Sequence, residues 1–274
     1  MAIQSVFGKI NIFEDFTGYT ASTAIADATA GTRWNNISLV AISGQTDIIN
    51  GVTAPNGILT ATGAGGAADG LAILGSPFRP DRNGTIVMEA RFKGASATDL
   101  RVFCGWQETI AYDDTVNPFT LSGTTLTDND GGEVVGFYTD TAATTDDFRF
   151  ASSSAGAIDS SAAVRCGPMV AGLNSNATTI GSLGIRSGVT LTADSWYIAR
   201  VEVDPDGTAR GYFGHTTMNG GGNKGLVLVA TLAPGTITTS ALLVPHLHLA
   251  ASSTGDPLLS VDYFGATGNR DWTA

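Results

Sequence analysis

Lysine is nearly absent from this chain: Lys9, Lys93 and Lys224 stand alone among 14 basic residues, against 25 acidic ones. The formal charge is −11 and no basic stripe exists to follow a phosphate backbone, which argues against nucleic acid as a partner. Long apolar runs are also missing, so no segment reads as a membrane span. The N-terminus, "MAIQSVFGKINIFEDF", lacks a basic-then-apolar signal pattern, and the chain is expected to be made, and at first kept, in a cytoplasm. Charged residues are sparse at 14%, while glycines number 35, so much of the surface must be Ser, Thr, Ala and Gly. Such a surface suits a component of a stable assembly. There are two cysteines, Cys104 in "FCGW" and Cys166 in "RCGP". Pairing across neighbouring strands is open to them, but a reducing compartment favours two small buried thiols, and two cysteines alone make no zinc site. The Gly-rich stretches "ATGAGGAADG" (61–70) and "TTMNGGGNKG" (216–225) carry no Lys-Ser/Thr and open no helix, so they read as loops and not as phosphate cradles. A nucleophile elbow is missing as well.

What is present is strand after strand. "GILTAT" (57–62), "LAILGS" (71–76), "TIVMEARFKG" (85–94), "DLRVFCGWQET" (99–109), "EVVGFYTD" (133–140) and "DFRFASS" (147–153) are candidates. "SAAVRCGPMVA" (161–171), "LVLVATL" (226–232), "LLVPHLHLAAS" (242–252) and "LLSVDYFGA" (258–266) follow the same pattern. In "MEARFK", Met88, Ala90 and Phe92 alternate with Glu89, Arg91 and Lys93, the period of a sheet with one buried face. The clusters between strands are Gly, Asn, Asp, Ser and Thr, the residues of turns. Many short strands with almost no helix predict a sandwich or barrel. The stretch 13–40 is ambiguous, since "TASTAIADATAG" suits either a short helix or an extended arm.

"DSWYIARVEVDPDGTARGYFG" (194–214) can be read to the residue. Tyr197, Ala199, Val201 and Val203 alternate with Ile198, Arg200, Glu202 and Asp204. Pro205 has the φ of a type I turn, and Gly207 can take the left-handed conformation that closes a three-residue hairpin. That loop pairs Asp204 with Thr208. Val203 then faces Ala209, Val201 faces Gly211 and Ala199 faces Phe213, with Glu202 opposite Arg210 and Arg200 opposite Tyr212 on the other face.

The order of elements resembles a known group. "FEDF" (13–16) precedes "GILTAT" and "DGLAILGSPFRPDRNGTIVMEARFKG"; "GWQET", "WYIARVEVDPDGTARGYF" and "VDYF" (261–264) follow. This is similar to the concanavalin A-like lectin/glucanase jelly roll, especially versions in tailed-phage structural proteins and laminin-G-like modules, over residues 13 to 265. The resemblance implies an all-β, antiparallel β-sandwich of jelly-roll type: an N-terminal arm (1–12) and one sandwich domain (13–274). It implies fold more strongly than function, because this scaffold hosts hydrolases, lyases, lectins and virion proteins alike.

Glycosidases of that fold carry E-x-D-x-x-E on one strand. Here Glu202 and Asp204 supply E-x-D, but Gly207 occupies the place of the second Glu and the turn begins at Asp204, so no catalytic residue is assigned. His246 and His248 in "PHLHL" project from one face of a strand and can share a metal, with His215 a distant third. Solvent-facing or interface histidines are the plainer reading. The acidic loops "YDDTVN" (112–117), "TDNDGGE" (127–133) and "TDTAATTDDF" (139–148) raise calcium, for which Asp128, Asn129, Asp130 and Glu133 are the available oxygens. Their spacing departs from the EF-hand, so a solvated loop is preferred. Trp106, Tyr112, Tyr138 and Trp272 are the aromatic candidates for stacking on a sugar, but aromatics on sandwich strands are more often core, and that reading is preferred. No metal and no cofactor is assigned.

The expectation is therefore a non-enzymatic virion structural protein, a phage capsid decoration or cement protein. It would bind the major capsid protein of the assembled shell, stabilise that shell by mass action and form a homotrimer or another symmetric oligomer. It would be assembled in the host cytoplasm. The alternative is a carbohydrate-binding, lectin-like module of a tail fibre or host-recognition apparatus. A third reading, a polysaccharide-degrading enzyme, has no catalytic signature to support it.

Overall fold

Two antiparallel sheets, each of nine strands, lie face to face. The computed structural model describes residues 8–16, 32–34, 37–42, 47–50, 57–62, 70–95, 99–108, 117–122, 125–129, 131–140, 147–158, 164–165, 185–215, 226–252 and 258–270. In chain order the first strands are β1 (Lys9–Glu14), β2 (Thr32–Trp34), β3 (Ile37–Ile42), β4 (Asp47–Asn50), β5 (Leu59–Thr62) and β6 (Gly70–Leu74). A single helical turn, α1 (Pro80–Asn83), leads into β7 (Ile86–Gly94) and β8 (Arg101–Glu108). Then come β9 (Phe119–Ser122), β10 (Thr125–Asp128), β11 (Val134–Asp140), β12 (Asp147–Ser154), β13 (Ala157–Ile158), β14 (Val164–Arg165) and β15 (Ile185–Thr190). The last five are β16 (Tyr197–Val203), β17 (Ala209–Gly214), β18 (Val227–Leu232), β19 (Leu243–Ala250) and β20 (Leu258–Asn269).

The first sheet runs β14-β18-β17-β16-β7-β20-β5-β4, with β1 joined to β20 beside β5. The second runs β13-β12-β11-β8-β19-β6-β3-β2, with β15 also paired to β12. Successive strands such as β16, β17 and β18 pair with one another, while strands distant in sequence, as β7 and β20 are, bring those units together through long connections. Each predicted strand with described residues is a strand, apart from one or two residues at its ends. In "SAAVRCGPMVA" only Val164–Arg165 lies within the described residues. Of the ambiguous stretch, Thr32–Trp34 and Ile37–Ile42 are strands, and residues 17–31 lie outside the described set. The segment read as an arm contributes Lys9–Ile12 to β1.

The 194–214 hairpin forms in the expected register, with Val203 opposite Ala209, Val201 opposite Gly211 and Ala199 opposite Phe213. The Asp204 amide donates to the Thr208 carbonyl at 2.8 Å and the Gly207 amide to the Asp204 carbonyl at 3.0 Å. Gly207 sits at φ +80°.

The core fills the space between the sheets. Met88, Ala90 and Phe92 of β7, Tyr197, Ala199 and Val201 of β16, and Phe213 of β17 meet Val102, Cys104 and Trp106 of β8, Phe137 of β11, and Phe148 and Phe150 of β12. The Trp106 indole N–H donates to the Val201 carbonyl at 3.2 Å and the Cys104 thiol to the Ala199 carbonyl at 3.9 Å, so hydrogen bonds from β8 cross the core to β16. The β9–β10 hairpin lies over the outer face of the second sheet, where Phe119 and Leu126 pack on Phe103, Val134 and Tyr138. One face of the molecule is thereby roofed, while the outer face of the first sheet carries its charges and aromatics.

Candidate functional site

Strand alternation that buries one set of residues turns the other set outward. On the first sheet the outward set is Lys9, Asn11 and Phe13 of β1; Glu89, Arg91 and Lys93 of β7; Arg200 and Glu202 of β16; and Arg210 and Tyr212 of β17. A register shift in β20 between Val261 and Tyr263 brings both Asp262 and Tyr263 against outward residues of β7.

Every cation in the middle of this face has an acidic partner. Asp204 accepts from both terminal nitrogens of Arg210, at 2.5 and 2.8 Å, and from the Thr85 hydroxyl at 2.7 Å. Glu202 meets Arg210 Nε at 3.2 Å and Arg200 at 2.7 Å, and Arg91 meets Asp262 at 2.6 Å. Lys93 reaches Asp194 at 3.4 Å. Burial alone would raise the Asp204 carboxyl, but the hydrogen bonds from Arg210 and Thr85 outweigh it and hold the group below its ordinary value of 3.8. The E-x-D pair therefore builds the frame of the sheet.

Beside the charges lies an aromatic platform. Phe13 is 63% exposed, the most open large hydrophobic side chain among the described residues. Its ring stacks with Tyr263 at 6.0 Å between centroids and 28° between planes. It rests on Gly265, where a Cβ would stand 3.2 Å from Phe13 Cδ2. The missing side chain is what lets the phenyl ring lie down on the sheet. Tyr263 is fixed from below, its hydroxyl donating to Glu89 Oε1 at 2.5 Å. Burial, then that hydrogen bond, pushes the Tyr263 hydroxyl up, so it stays protonated as a donor. Asn11 and Thr267, joined by a 2.6 Å hydrogen bond, form a polar rim. Further along the face, the Trp196 ring lies under Arg91 and Lys93, at 4.6 and 5.4 Å.

The residues singled out in the sequence fall elsewhere. Trp106 is fully buried in the core and Tyr138 is buried beneath the β9–β10 hairpin, so both take the core role preferred for them and neither offers a face to a sugar. Tyr112 and Trp272 lie outside the described residues. Of the calcium candidates, Glu133 accepts from Ser154 Oγ at 2.7 Å and Thr238 Oγ1 at 2.6 Å. Asp128 accepts from Ser153 Oγ at 2.6 Å and the Gly131 amide at 3.1 Å. Asn129 ties its amide to the Asn117 carbonyl at 2.7 Å. These groups brace a loop, a more ordered arrangement than the solvated loop expected; Asp130 lies outside the described residues. Cys104 is a free, buried thiol, and Cys166 lies outside the described residues.

The histidines overturn their plainer reading. His246 and His248 are 0% and 2% exposed, on the outer face of β19 but neither solvent-facing nor at an open surface. His215 does not join them: it stacks on Tyr197, at 4.7 Å, beside the first sheet. His246 Nδ1 lies 2.6 Å from Gln107 Oε1. Three buried atoms here, His246 Nε2, His248 Nδ1 and Gln107 Nε2, have no hydrogen-bond partner. Each such atom costs about 1–3 kcal/mol when left unsatisfied. Burial pushes both imidazoles down, His248 to about 3 with Arg101 adding to the effect, and His248 adds to it for His246. Both rings are neutral at ordinary pH.

Sequence reasoning missed Phe13 and Tyr263 as a site. Their signal was present: in "KINIFE" the phenylalanine falls on the polar side of the alternation, an aromatic where a sheet needs none.

No protein-family model matches the chain, and no curated protein matches it. Among solved structures it is similar to a protein of unknown function from Shewanella oneidensis MR-1, with a TM-score of 0.51, 12% identity, and 97% of this chain and 89% of that one covered. Peanut lectin, solved with a nine-residue peptide, aligns at a TM-score of 0.51 and 11% identity, over 95% of this chain and 97% of that one. Lectin II from Ulex europaeus, solved with galactose, aligns at 0.51 and 7% identity, covering 95% and 98%. At such identities the likeness shows the fold alone: an all-β, concanavalin A-like jelly roll.

Proposed function

We propose that the chain is a non-enzymatic, lectin-like carbohydrate-binding module, and that it takes the apolar face of a neutral sugar on the Phe13–Tyr263 platform. One observation carries the reading: an exposed aromatic ring, laid flat on Gly265 and backed by a second ring, with hydrogen-bonding side chains at its rim. Pyranose rings present C–H groups on one face and hydroxyls at the edge, so a flat ring with a polar rim complements them. Arg91, Lys93, Arg200 and Arg210 each have an acidic partner, so the charge in the middle of this face is balanced, which favours a neutral sugar over an acidic one; Lys9, at the end of β1, is the exposed cation beyond the rim. A solved structural neighbour holds galactose, which supports the class of ligand without fixing its site on this chain.

The test is a glycan array followed by calorimetric titration of the best neutral ligand. Saturable binding that falls about tenfold or more in Phe13→Ala, a loss of about 1.4 kcal/mol, supports the reading. An array without hits, or binding untouched by Phe13→Ala, overturns it. The variant folds as the parent does, because an exposed side chain away from the core changes stability by about 0.5 kcal/mol or less.

A second reading, the capsid decoration protein bound to a major capsid protein as a homotrimer, is favoured by a different feature. Among the described strands β1 has a neighbour, β20, on one side only, so its backbone groups and Phe13 together suit strand addition from a protein partner. Immunogold labelling of the source particles separates the two: label over heads supports decoration, and unlabelled particles overturn it.

A further inference from the structure

We propose that His246 and His248 form an acid-sensitive latch: charging the two imidazoles lifts the β9–β10 hairpin from the outer face of the second sheet, while the interior between the sheets stays closed. The inference stands independently of the sugar reading, on a different face and different strands.

A chain of ring contacts runs from the hairpin to the histidines. Phe119 of β9 packs edge-on against Phe103 of β8, at 5.8 Å between centroids. Phe103 packs edge-on against His246 at 5.6 Å, and His246 against His248 at 5.8 Å. The hairpin pairs only with itself, so among the described residues no backbone ladder ties it to the second sheet. Phe119 and Leu126 belong to a small outer cluster with Phe103 and Tyr138, separate from the core between the sheets that holds Trp106. The hairpin can therefore leave without opening the interior.

The closed face does not accept charge on these rings. His246 Nδ1 donates to Gln107 Oε1 at 2.6 Å, so a second proton must enter at Nε2, which is buried and unpartnered. His248 Nδ1 is buried and unpartnered too. At neither nitrogen does the closed face offer a charged ring an acceptor.

The charged neighbours do not offset this. Arg101 of β8 pairs with Ala250, diagonal to His248, and its cation repels a charged ring. Of the acids on this face, Asp140 of β11 meets Arg101 at 2.8 Å, Asp99 accepts from Ser252 at 2.9 Å, and Asp128 of the hairpin accepts from Ser153 at 2.6 Å. Asp147 and Arg149 stand on β12, two strands beyond β8, and burial keeps the Tyr138 hydroxyl protonated. The strands on the other side, β6 and β3, carry no titratable residue.

Burial, with Arg101 adding to it, keeps His248 neutral down to about 3, and burial with His248 adding to it lowers His246. Released to water, each ring returns to about 6.5. Because both values are lowered in the closed face, closure is favoured in full above that value. The advantage is lost as pH falls, by up to about tenfold per pH unit for each ring. From about pH 7.5 to about pH 5 the opening constant rises about thirtyfold per histidine, and about a thousandfold for the pair.

The experiment is an NMR titration of the full chain from about pH 7.5 to about pH 4. Imidazole nitrogen shifts report charging, the Phe119–Phe103 ring contact reports the hairpin, and the Phe78–Trp106 contact, 5.6 Å between centroids, reports the interior. The imidazoles should charge below their ordinary value and in step with loss of the Phe119–Phe103 contact, while the Phe78–Trp106 contact persists. In His246→Gln or His248→Gln the steepness of the response should halve, and in the double variant it should vanish. Steepness is read independently of any fixed loss of stability in a variant, and the parent titration decides the order of events without them. Imidazoles that charge near 6.5 with the Phe119–Phe103 contact intact overturn the proposal. So does a contact that survives to about pH 4, an equal acid response in the double variant, or loss of both ring contacts at one pH.

Discussion

At the scale of single residues, the side chains that matter most are those whose neighbours are unusually small or unusually charged. Gly265 is one. A Cβ there meets Phe13 Cδ2 and the Ile12 carbonyl oxygen, both at 3.2 Å, so Gly265→Ala must tilt the phenyl ring off the sheet. Sugar affinity is expected to fall several-fold while the melting temperature changes little, which calorimetry and thermal denaturation check together. Asp204 is another. Its folded value lies below its ordinary value, so the ionised pair with Arg210 stabilises the fold above pH 3.8, and that contribution is lost as pH falls through the depressed value. Asp204→Asn should therefore destabilise the protein at neutral pH by about 1–3 kcal/mol, the worth of hydrogen bonds to a charged group. The gap between parent and variant should close in strong acid, where both side chains are neutral. A gap that stays constant down to pH 2 would count against the assignment. Neither residue's role was hidden for want of chemistry: Glu202 and Asp204 were legible as sheet frame because the Arg210 partner lies within the same hairpin. Phe13 was not, because the glycine that makes it a platform lies on a strand 250 residues away.

At the scale of elements, legibility follows the range of the interactions. The β16–β17 hairpin is set by its own turn, and its pairing agrees with the sequence at each position. Gly207→Ala tests this locally. The position has φ +80°, and a Cβ would approach the Ile237 carbonyl oxygen to 2.4 Å. Left-handed backbone costs a residue with a Cβ about 1–2 kcal/mol and the clash adds to it. A loss of at least that size in urea denaturation is expected, with amide exchange accelerating first at Asp204–Thr208. β1 and the β9–β10 hairpin were not legible. Both are short, and each is held by distant partners: β20 for one and the outer faces of β8 and β11 for the other. The "PHLHL" strand shows the same limit from the other side. Its alternation correctly placed both histidines on one face of β19, but what covers a face is not written in the strand itself.

At the scale of the whole molecule, the two sheets share one apolar interior, and stability belongs to both together. Phe213 of the first sheet lies 5.0 Å from Phe137 and 4.7 Å from Phe148 of the second. Phe213→Ala should cost about 3–5 kcal/mol. Tryptophan fluorescence and far-UV circular dichroism should still report one coincident urea transition; separate transitions would show that the sheets unfold independently. Alternation with period two, turn chemistry and the scarcity of helix signals were enough to establish an all-β sandwich or barrel, because these properties depend on residues a few positions apart; the jelly-roll sandwich came from the resemblance in the order of elements. Tertiary structure alone decided which aromatics are exposed, that Trp106 and Tyr138 are closed off, that Phe13 meets Tyr263, and that two histidines lie buried beside Gln107. The physical reason is that a strand specifies two faces, whereas solvent, a second sheet or a roofing hairpin reaches each face through contacts between residues far apart in the chain.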